Sequence, residues 1–395
     1  MKYKLASSTW DHKEIQAINQ VVESDDFTMG RKVKEYESKF AKFLGSKYVI
    51  MTNSGSSANL LMIASLFFTK DKRRRLQRGD EVIVPSVSWS TTYFPLQQYG
   101  LKVKFVDIDR DTLNLDVKKL ESAICDKTKL VLAVNLLGNP NDFDAISKII
   151  KQREITLLED NCEALGAAYK GKYTGTFGLM GSFSSFYSHH ISTMEGGCIL
   201  TNDEELYQIL LSLRAHGWTR DLPKKNLITG LKNNDPFEES FKFVLPGYNV
   251  RPLEMSGAIG LEQLKKLPKF ISQRRENANL FISTFKDHPY LQTQKEISSS
   301  SWFGFSLVIK ECSPLSRLEI VNKLAKFNIE SRPIVTGNFV KNLDVLKYFN
   351  YEISGNLENA EYIDSNGFFI GNHQTDLSRE INYAKEVIDN IFADC

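Results

Sequence analysis

Residues 155–167 read I-T-L-L-E-D-N-C-E-A-L-G-A. An apolar run ends in Glu159 and Asp160, and small residues then open a turn. An Asp closing an apolar strand is costly if it is buried without a partner. Two readings stand: it faces a cation such as an Arg or a protonated ring nitrogen, or it is an exposed helix cap. A matching run, L-V-L-A-V-N-L-L, occupies 130–137. Continuous apolar strands of this kind suit a sheet covered on both faces. Working outward, strand-like runs recur at 48–53, 81–86, 102–108, 130–138, 155–160, 182–187 and 196–201. Helix-period segments lie between several of them, as at Leu60, Leu61, Ile63, Ala64 and Phe67, and at Ile146, Ile149 and Ile150. Strands alternating with helices predict βαβ units and an α/β fold with a mainly parallel sheet.

The flanks read differently. Ile15, Ile18 and Val22 predict one helix; Val33, Tyr36, Phe40 and Phe43 predict another, closed by Gly45. After residue 253 the stretch LEMSGAIGLEQLKKL predicts a helix that ends at Pro268, with a second helix beyond it. SSWFGFSLVIK (300–310) reads as a strand, RLEIVNKLAKFNI (317–329) as a helix, and EINYAKEVIDNIFADC (380–395) as a closing helix. The expected division is an N-terminal segment and large domain over 1–255, then a linking helix and a smaller α+β domain over 256–395. A length of 395 residues suits two or three domains.

Composition removes several classes of function. A net charge of +2 excludes nucleic-acid binding through bulk charge. Five scattered Cys, with no CxxC or CxC pair, argue against a disulfide scaffold and against a zinc or iron–sulfur site. MKYKLASSTWDHKE has no apolar leader core, and no run of 18 apolar residues exists, so a cytoplasmic protein without a membrane role is expected. The one charge cluster, KDKRRRLQR (70–78), is a solvated loop or a contact to nucleotide phosphate.

In open parallel sheets, ligands gather at the carboxyl ends of the strands. SGSSANLL (54–61) follows the first strand, and Gly55, Ser56 and Ser57 could cradle a phosphate there or merely cap a helix. Trp89, in PSVSWSTTYFP, could stack on a flat ring or fill the core. In GSFSSFYSHHISTMEGGCILTND (181–203), two of the chain's six His are adjacent. Neighbours on an extended segment point to opposite faces, so only one of His189 and His190 would face a site. Further metal ligands at suitable spacing are not found nearby, and a structural His is the competing reading.

Taken in order, SGSSAN (54–59), VPSVSW (84–89), LLEDNCEALGA (157–167), GTFG (175–178), FSSFY (183–187), MEGGCILTND (194–203), RAHGWTR (214–220) and PGYNVRPLEMSGAIGLEQL (246–264) resemble one family. They are similar to the pyridoxal-phosphate enzymes of nucleotide-sugar metabolism, the DegT/DnrJ/EryC1/StrS family. The resemblance runs from near Ala6 to the last helix. It implies the aspartate-aminotransferase fold (fold type I): a large domain with a mixed, mainly parallel sheet and a smaller α+β domain.

One departure matters. The family's motif resembles F-S-F-x-x-x-K-N-L…G-E-G-G, whose Lys bonds covalently to the cofactor. Six positions on from Phe183, or six back from Glu195, stands His189, and His190 replaces the following Asn. The exchange resembles the sugar 3-dehydratases of the family, and the absence of a CxC run points to their cluster-free branch. Overall likeness implies a GDP-linked 4-keto-6-deoxy sugar, although no base-reading motif names the nucleotide.

The resemblance also implies roles. Ser56, Ser57 and Ser184, with Gly55 beside them, would hold the phosphate of pyridoxal 5′-phosphate (PLP) or pyridoxamine 5′-phosphate (PMP). Asn249 would reach that phosphate from the partner subunit of a homodimer. Trp89 would stack on the ring, Asp160 would pair with its protonated nitrogen, and Glu163 would bond its hydroxyl, where Gln is common. L-glutamate would supply the amine, the sugar's C3 hydroxyl would leave, and ammonia would be released afterwards. His189 would be the base at the cofactor's C4′ carbon, since imidazole titrates near working pH and cannot capture an aldehyde as Lys does. His216 and Arg220 resemble substrate-pocket positions contributed across the dimer. Arg332 could bind a glutamate carboxylate or pair within the small domain. Imidazole in place of Lys leaves two other readings open: a transaminase using another Lys, or a non-catalytic cofactor sensor.

Overall fold

The computed structural model describes residues 1–393, so the final two positions of the expected closing helix, Cys395 among them, lie outside the described residues. Twelve strands carry the argument: β1 Tyr48–Thr52, β2 Glu81–Pro85, β3 Lys102–Val106, β4 Thr128–Val134, β5 Thr156–Asp160, β6 Met180–Ser184, β7 Gly197–Thr201, β8 Leu291–Thr293, β9 Gly304–Ile309, β10 Ser331–Arg332, β11 Tyr351–Ile353 and β12 Gly367–Gly371. Eight of them form one sheet in the order β1-β7-β6-β5-β4-β2-β3-β11. Strand β7 runs antiparallel to both neighbours, and every other pair is parallel. The mixed, mainly parallel sheet expected from the sequence is therefore present.

The apolar runs divide by side-chain parity, as pleating requires. Val82, Val84, Leu130 and Leu132 enter one core cluster, while Ile83, Val131 and Ala133 enter another on the second face. Each such burial contributes about 1.5–3 kcal/mol, which holds a two-faced sheet between its helical layers. A second sheet, β8-β9-β12-β10, is wholly antiparallel and forms with its helices a separate core around Phe281, Phe305, Phe368 and Ile388.

Helices α1 (His12–Ser24) and α2 (Arg31–Leu44) stand where the periodicity placed them, and Gly45 closes α2 in the left-handed region at φ 72°. Helices α3 (Gly55–Leu66) and α4 (Ser90–Gln98) follow β1 and β2. The run 70–78 is a turn-rich segment in which Arg74 bonds Asp203 at 2.9 Å. Among the described residues, no helix is long and apolar enough to cross a membrane.

Two expectations need correction. Pro268 does not end a helix: α5 runs unbroken over Glu254–Phe285. An interior Pro costs about 3 kcal/mol, and packing on both sides of it outweighs that. Before it, α5 lies so close to α2 that a Cβ on Gly257 would sit 2.6 Å from the Val33 nitrogen. After it, Phe270 and Ile271 pack with Phe40 and Leu165. The strand expected over 130–138 stops at Val134, and a short turn follows at Leu136–Gly138 with Leu137 at φ 52°. The Asn135 amide still donates to the Asp160 carbonyl at 3.1 Å, and its side chain donates to Asn161 Oδ1 at 2.6 Å.

The two sheets also exchange pieces. Strand β11 crosses back to the edge of the large sheet, pairing with β3. Tyr3 is buried in the core of the small sheet, where its hydroxyl donates to the Gly371 carbonyl at 2.9 Å.

Candidate active site

A cleft of about 580 Å³ opens where β4, β5 and β6 end, with Val134, Asp160 and Ser184 in its wall. That size suits a small-molecule site, and the position obeys the strand-end rule. Of the residues singled out in the sequence, Gly55, Ser56, Trp89, Asp160, Glu163, Ser184, His189 and Arg332 all line it.

The phosphate-binding candidates begin α3. Ser54 caps this helix, taking the Ser57 amide on its hydroxyl at 3.1 Å and the Ala58 amide on its carbonyl at 3.1 Å. The amides of Gly55 and Ser56, both in the cleft wall, are left for an anion. Ser57 gives its amide to the cap and accepts the Ser54 hydroxyl, which leaves its own hydroxyl proton free, and it is not among the residues that line the cleft. Gly55 is required by space: a Cβ there would meet Ser184 Cβ at 2.6 Å and Cys162 Sγ at 2.8 Å. Trp89 immediately precedes α4 and is 57% exposed, so it is a cleft-mouth ring and not a core residue.

Asp160 is buried, and its three hydrogen-bond partners are all neutral. Asn59 Nδ2 and the Thr92 hydroxyl each donate to Oδ2 at 2.8 Å, and the Cys162 amide donates to Oδ1 at 3.1 Å. A carboxylate offers about four lone-pair sites. Three are filled by these bonds, and the Cys162 thiol lies against the same carboxylate, so Oδ1 keeps acceptor capacity in the cleft wall and no cation among the described residues answers its charge. A protonated ring nitrogen fits that capacity and that charge. With the two open amides of α3 and the exposed Trp89 ring, these residues suit PLP, and Gly55, Ser56, Ser184, Trp89 and Asp160 would hold it.

Two titrating groups complete the cleft. Glu163 accepts the Leu137 amide on Oε2 at 3.0 Å. Burial, with the Asp160 charge adding to it and the Leu137 bond opposing, pushes its carboxyl up to about 7. His189 places Nδ1 2.6 Å from the Cys162 carbonyl oxygen. A carbonyl can only accept, so Nδ1 carries the proton and Nε2 keeps its lone pair. Burial pushes the imidazole down to about 4; the Cys162 bond opposes this and the Arg274 guanidinium adds to it. His189 is thus a neutral imidazole with an unprotonated Nε2, and burial sets its titration below the near-neutral range expected from the sequence. His190 is the structural neighbour: it is fully buried and donates from Nε2 to the Ser301 carbonyl at 3.1 Å.

Asn249, His216 and Arg220 are not in the cleft of this chain. They group elsewhere around Trp218, whose ring lies 4.7 Å from His216 and 4.3 Å from the Arg220 guanidinium, while Asn249 Oδ1 accepts from Arg251 at 3.0 Å. The sequence reading missed Asn59 and Thr92 behind Asp160. It also missed Leu5 and Ala6, which enter the cleft from the N-terminal segment. Asn59 closes the quoted SGSSAN run, one helical turn beyond Gly55, and that spacing was the available signal.

A fold of this topology, with a buried carboxylate facing no cation, a helix start with two open amides and an exposed indole at the strand ends, is that of a PLP enzyme of the aspartate-aminotransferase type. Residues 8–391 match the profile of the DegT/DnrJ/EryC1/StrS aminotransferase family. The chain belongs to that family.

Among curated proteins it is 66% identical to GDP-4-keto-6-deoxy-D-mannose 3-dehydratase of Escherichia coli O55:H7 (strain CB9615 / EPEC), over 98% of this chain and 100% of that one. Two crystal structures of GDP-4-keto-6-deoxymannose-3-dehydratase superpose with a TM-score of 0.97 at 66% identity, covering 98% of this chain and 100% of each. One holds a trapped PLP-glutamate geminal diamine, and the other is a His-to-Asn variant with bound GDP-perosamine.

Proposed function

We propose that this chain removes the C3 hydroxyl of GDP-4-keto-6-deoxy-D-mannose, giving GDP-4-keto-3,6-dideoxy-D-mannose, with L-glutamate supplying the amine and ammonia released. The observation that carries the reading is His189, held as a neutral base where the family's usual motif resembles one with Lys. Bound PLP, charged with the nitrogen of glutamate as PMP, supplies an amine for the sugar ketone and an electron sink. Asp160 supports that sink by facing the ring nitrogen with its open Oδ1 site. His189 Nε2 takes and returns the proton at C4′. Glu163, neutral over much of the working range, can donate to the ring hydroxyl. Among the described residues no lysine lines the cleft, which disfavours a transaminase that holds its cofactor covalently.

Arg332 lines the cleft, is exposed, and makes no ion pair among the described residues, which supports the glutamate-carboxylate reading over pairing in the small domain. The site is proposed to be shared in a homodimer, with Asn249, His216 and Arg220 of each subunit serving its partner. The division into a large domain over 1–255 and a smaller one over 256–395, and a cytoplasmic location, belong to the same proposal.

The deciding experiment incubates the enzyme with GDP-4-keto-6-deoxymannose, glutamate and cofactor, and weighs the product. Loss of water with the keto group retained supports dehydration. Gain of an amine would make the chain a transaminase, and no turnover of glutamate nitrogen at all would leave a cofactor sensor.

A further inference from the structure

The residues that would hold the cofactor all come from the large sheet and its helices. Part of the remaining cleft wall belongs to neither sheet: it is Leu5 and Ala6, carried on an extended strap. The strap is fastened at both ends. At the small sheet, the Tyr3 amide donates to the Asn328 carbonyl and the Glu330 amide donates back to the Tyr3 carbonyl, both at 2.9 Å. His373 Nε2 donates to the Lys4 carbonyl at 2.8 Å, and the Leu5 amide donates to Glu330 Oε2 at 3.0 Å.

At the other end, Thr9 exchanges two bonds with the buried side chain of Gln263, on α5, at 2.6 and 3.1 Å. Gln263 Oε1 also accepts the Ser192 amide at 3.0 Å, and Trp10 Nε1 donates to the Ser192 carbonyl at 2.9 Å. Ser192 stands three residues beyond His189. One strap therefore bridges the small sheet and the loop that carries the base, and it presents two apolar side chains to the cleft on the way.

We propose that Leu5 and Ala6 are specificity-determining residues that shape the sugar end of the cleft, with the one-carbon side chain of Ala6 leaving the room a hexose needs. The proposal deepens the function given above and rests on it. Glutamate is a five-carbon chain and engages little wall. A nucleotide-linked hexose is far larger and must use wall beyond the cofactor contacts. Fixed at both ends, the strap cannot swing aside cheaply, so added bulk at position 6 is felt by the larger substrate.

The test measures the two half-reactions separately on the cofactor-loaded enzyme. Ala6→Phe is expected to raise the KM for the GDP-sugar at least tenfold. Conversion of PLP to PMP by glutamate should stay within about twofold, and cofactor affinity should not change. Equal losses in both half-reactions would mean that the strap serves only folding, and no change in sugar KM would remove it from the site; either overturns the proposal. Should Ala6→Phe fail to fold, Leu5→Ala carries the same test, because enlarging the wall must change sugar KM more than glutamate turnover. Failure of the wild-type enzyme to dehydrate the sugar would instead refute the parent function, before any variant is compared.

Discussion

The carbonyl oxygen of Cys162 lies 2.6 Å from Nδ1 of His189, and the amide of the same Cys162 donates to Oδ1 of Asp160. One backbone residue thus sets both the tautomer of His189 and one oxygen of Asp160, the proposed base and the proposed partner of the ring nitrogen. His189→Asn keeps an amide able to donate to that carbonyl but offers no basic nitrogen. The variant is expected to bind PLP and PMP as wild type does, by absorbance titration. Its dehydration rate should fall by about 100-fold or more, the usual worth of a general base. Retained turnover would move the base elsewhere.

Glu163 carries a stability signature. Its carboxyl titrates at about 7 in the folded protein against 4.5 for the free group, so the folded state holds the proton more tightly. Below pH 4.5 both states are protonated and nothing is lost. Between pH 4.5 and 7 the folded chain is progressively penalised, and above pH 7 the penalty is complete, on the order of 3 kcal/mol. Glu163→Gln removes the ionisation while retaining an acceptor for the Leu137 amide. Apo-enzyme melting curves should show the variant several degrees more stable at pH 8 and level with wild type at pH 4. A gain independent of pH would show that the carboxyl is not held neutral.

The Thr92 hydroxyl gives its single proton to Asp160, so its 2.7 Å contact with Ser88 has Ser88 as donor. Thr92→Val preserves shape and opens an acceptor site on Oδ2, so the carboxylate no longer presents its free capacity on Oδ1 alone. PMP affinity is expected to fall about tenfold, in line with a hydrogen bond to a charged group. Thr92→Ser should restore it. Equal affinity in the Val and Ser variants would show that the hydroxyl does not orient Asp160.

If Asn249 serves the partner's cofactor, inactive subunits can complement each other. His189→Asn and Asn249→Asp are each expected to be inactive alone, the second because a new carboxylate repels phosphate. Dissociated and re-formed as a 1:1 mixture, they should recover about one quarter of wild-type activity, since half the dimers are mixed and each has one intact site. No recovery would place Asn249 in its own subunit's chemistry or in none.

Side chains with an energetic reason to be odd were the legible ones. Asp160 stood out because a carboxylate at an apolar strand end must be answered by something. His189 stood out by its offset from Phe183 and Glu195. What stayed hidden was backbone: the Cys162 carbonyl that fixes the imidazole has no letter in the sequence. Ser57 and Ser56 are identical as letters, yet only Ser57 gives its amide to the Ser54 cap. Pro268 misled because its local cost was readable, while the packing of α5 against α2 was not. The strap was illegible for a similar reason, since neither Leu5 nor Ala6 is an unusual residue until the small sheet fixes where it runs.

Tyr3 and Gly371 are joined by a hydrogen bond inside a single core. A ribosome emits the first of these long before the second. Throughout synthesis of the large sheet, the tyrosine and its neighbours have no partner to bury against, and they settle only when β12 has left the exit tunnel. Closing so long a loop is slow. The proposed wall of Leu5 and Ala6 is therefore expected to form last, and newly made chains should acquire the ability to hold PMP before the ability to recognise a sugar.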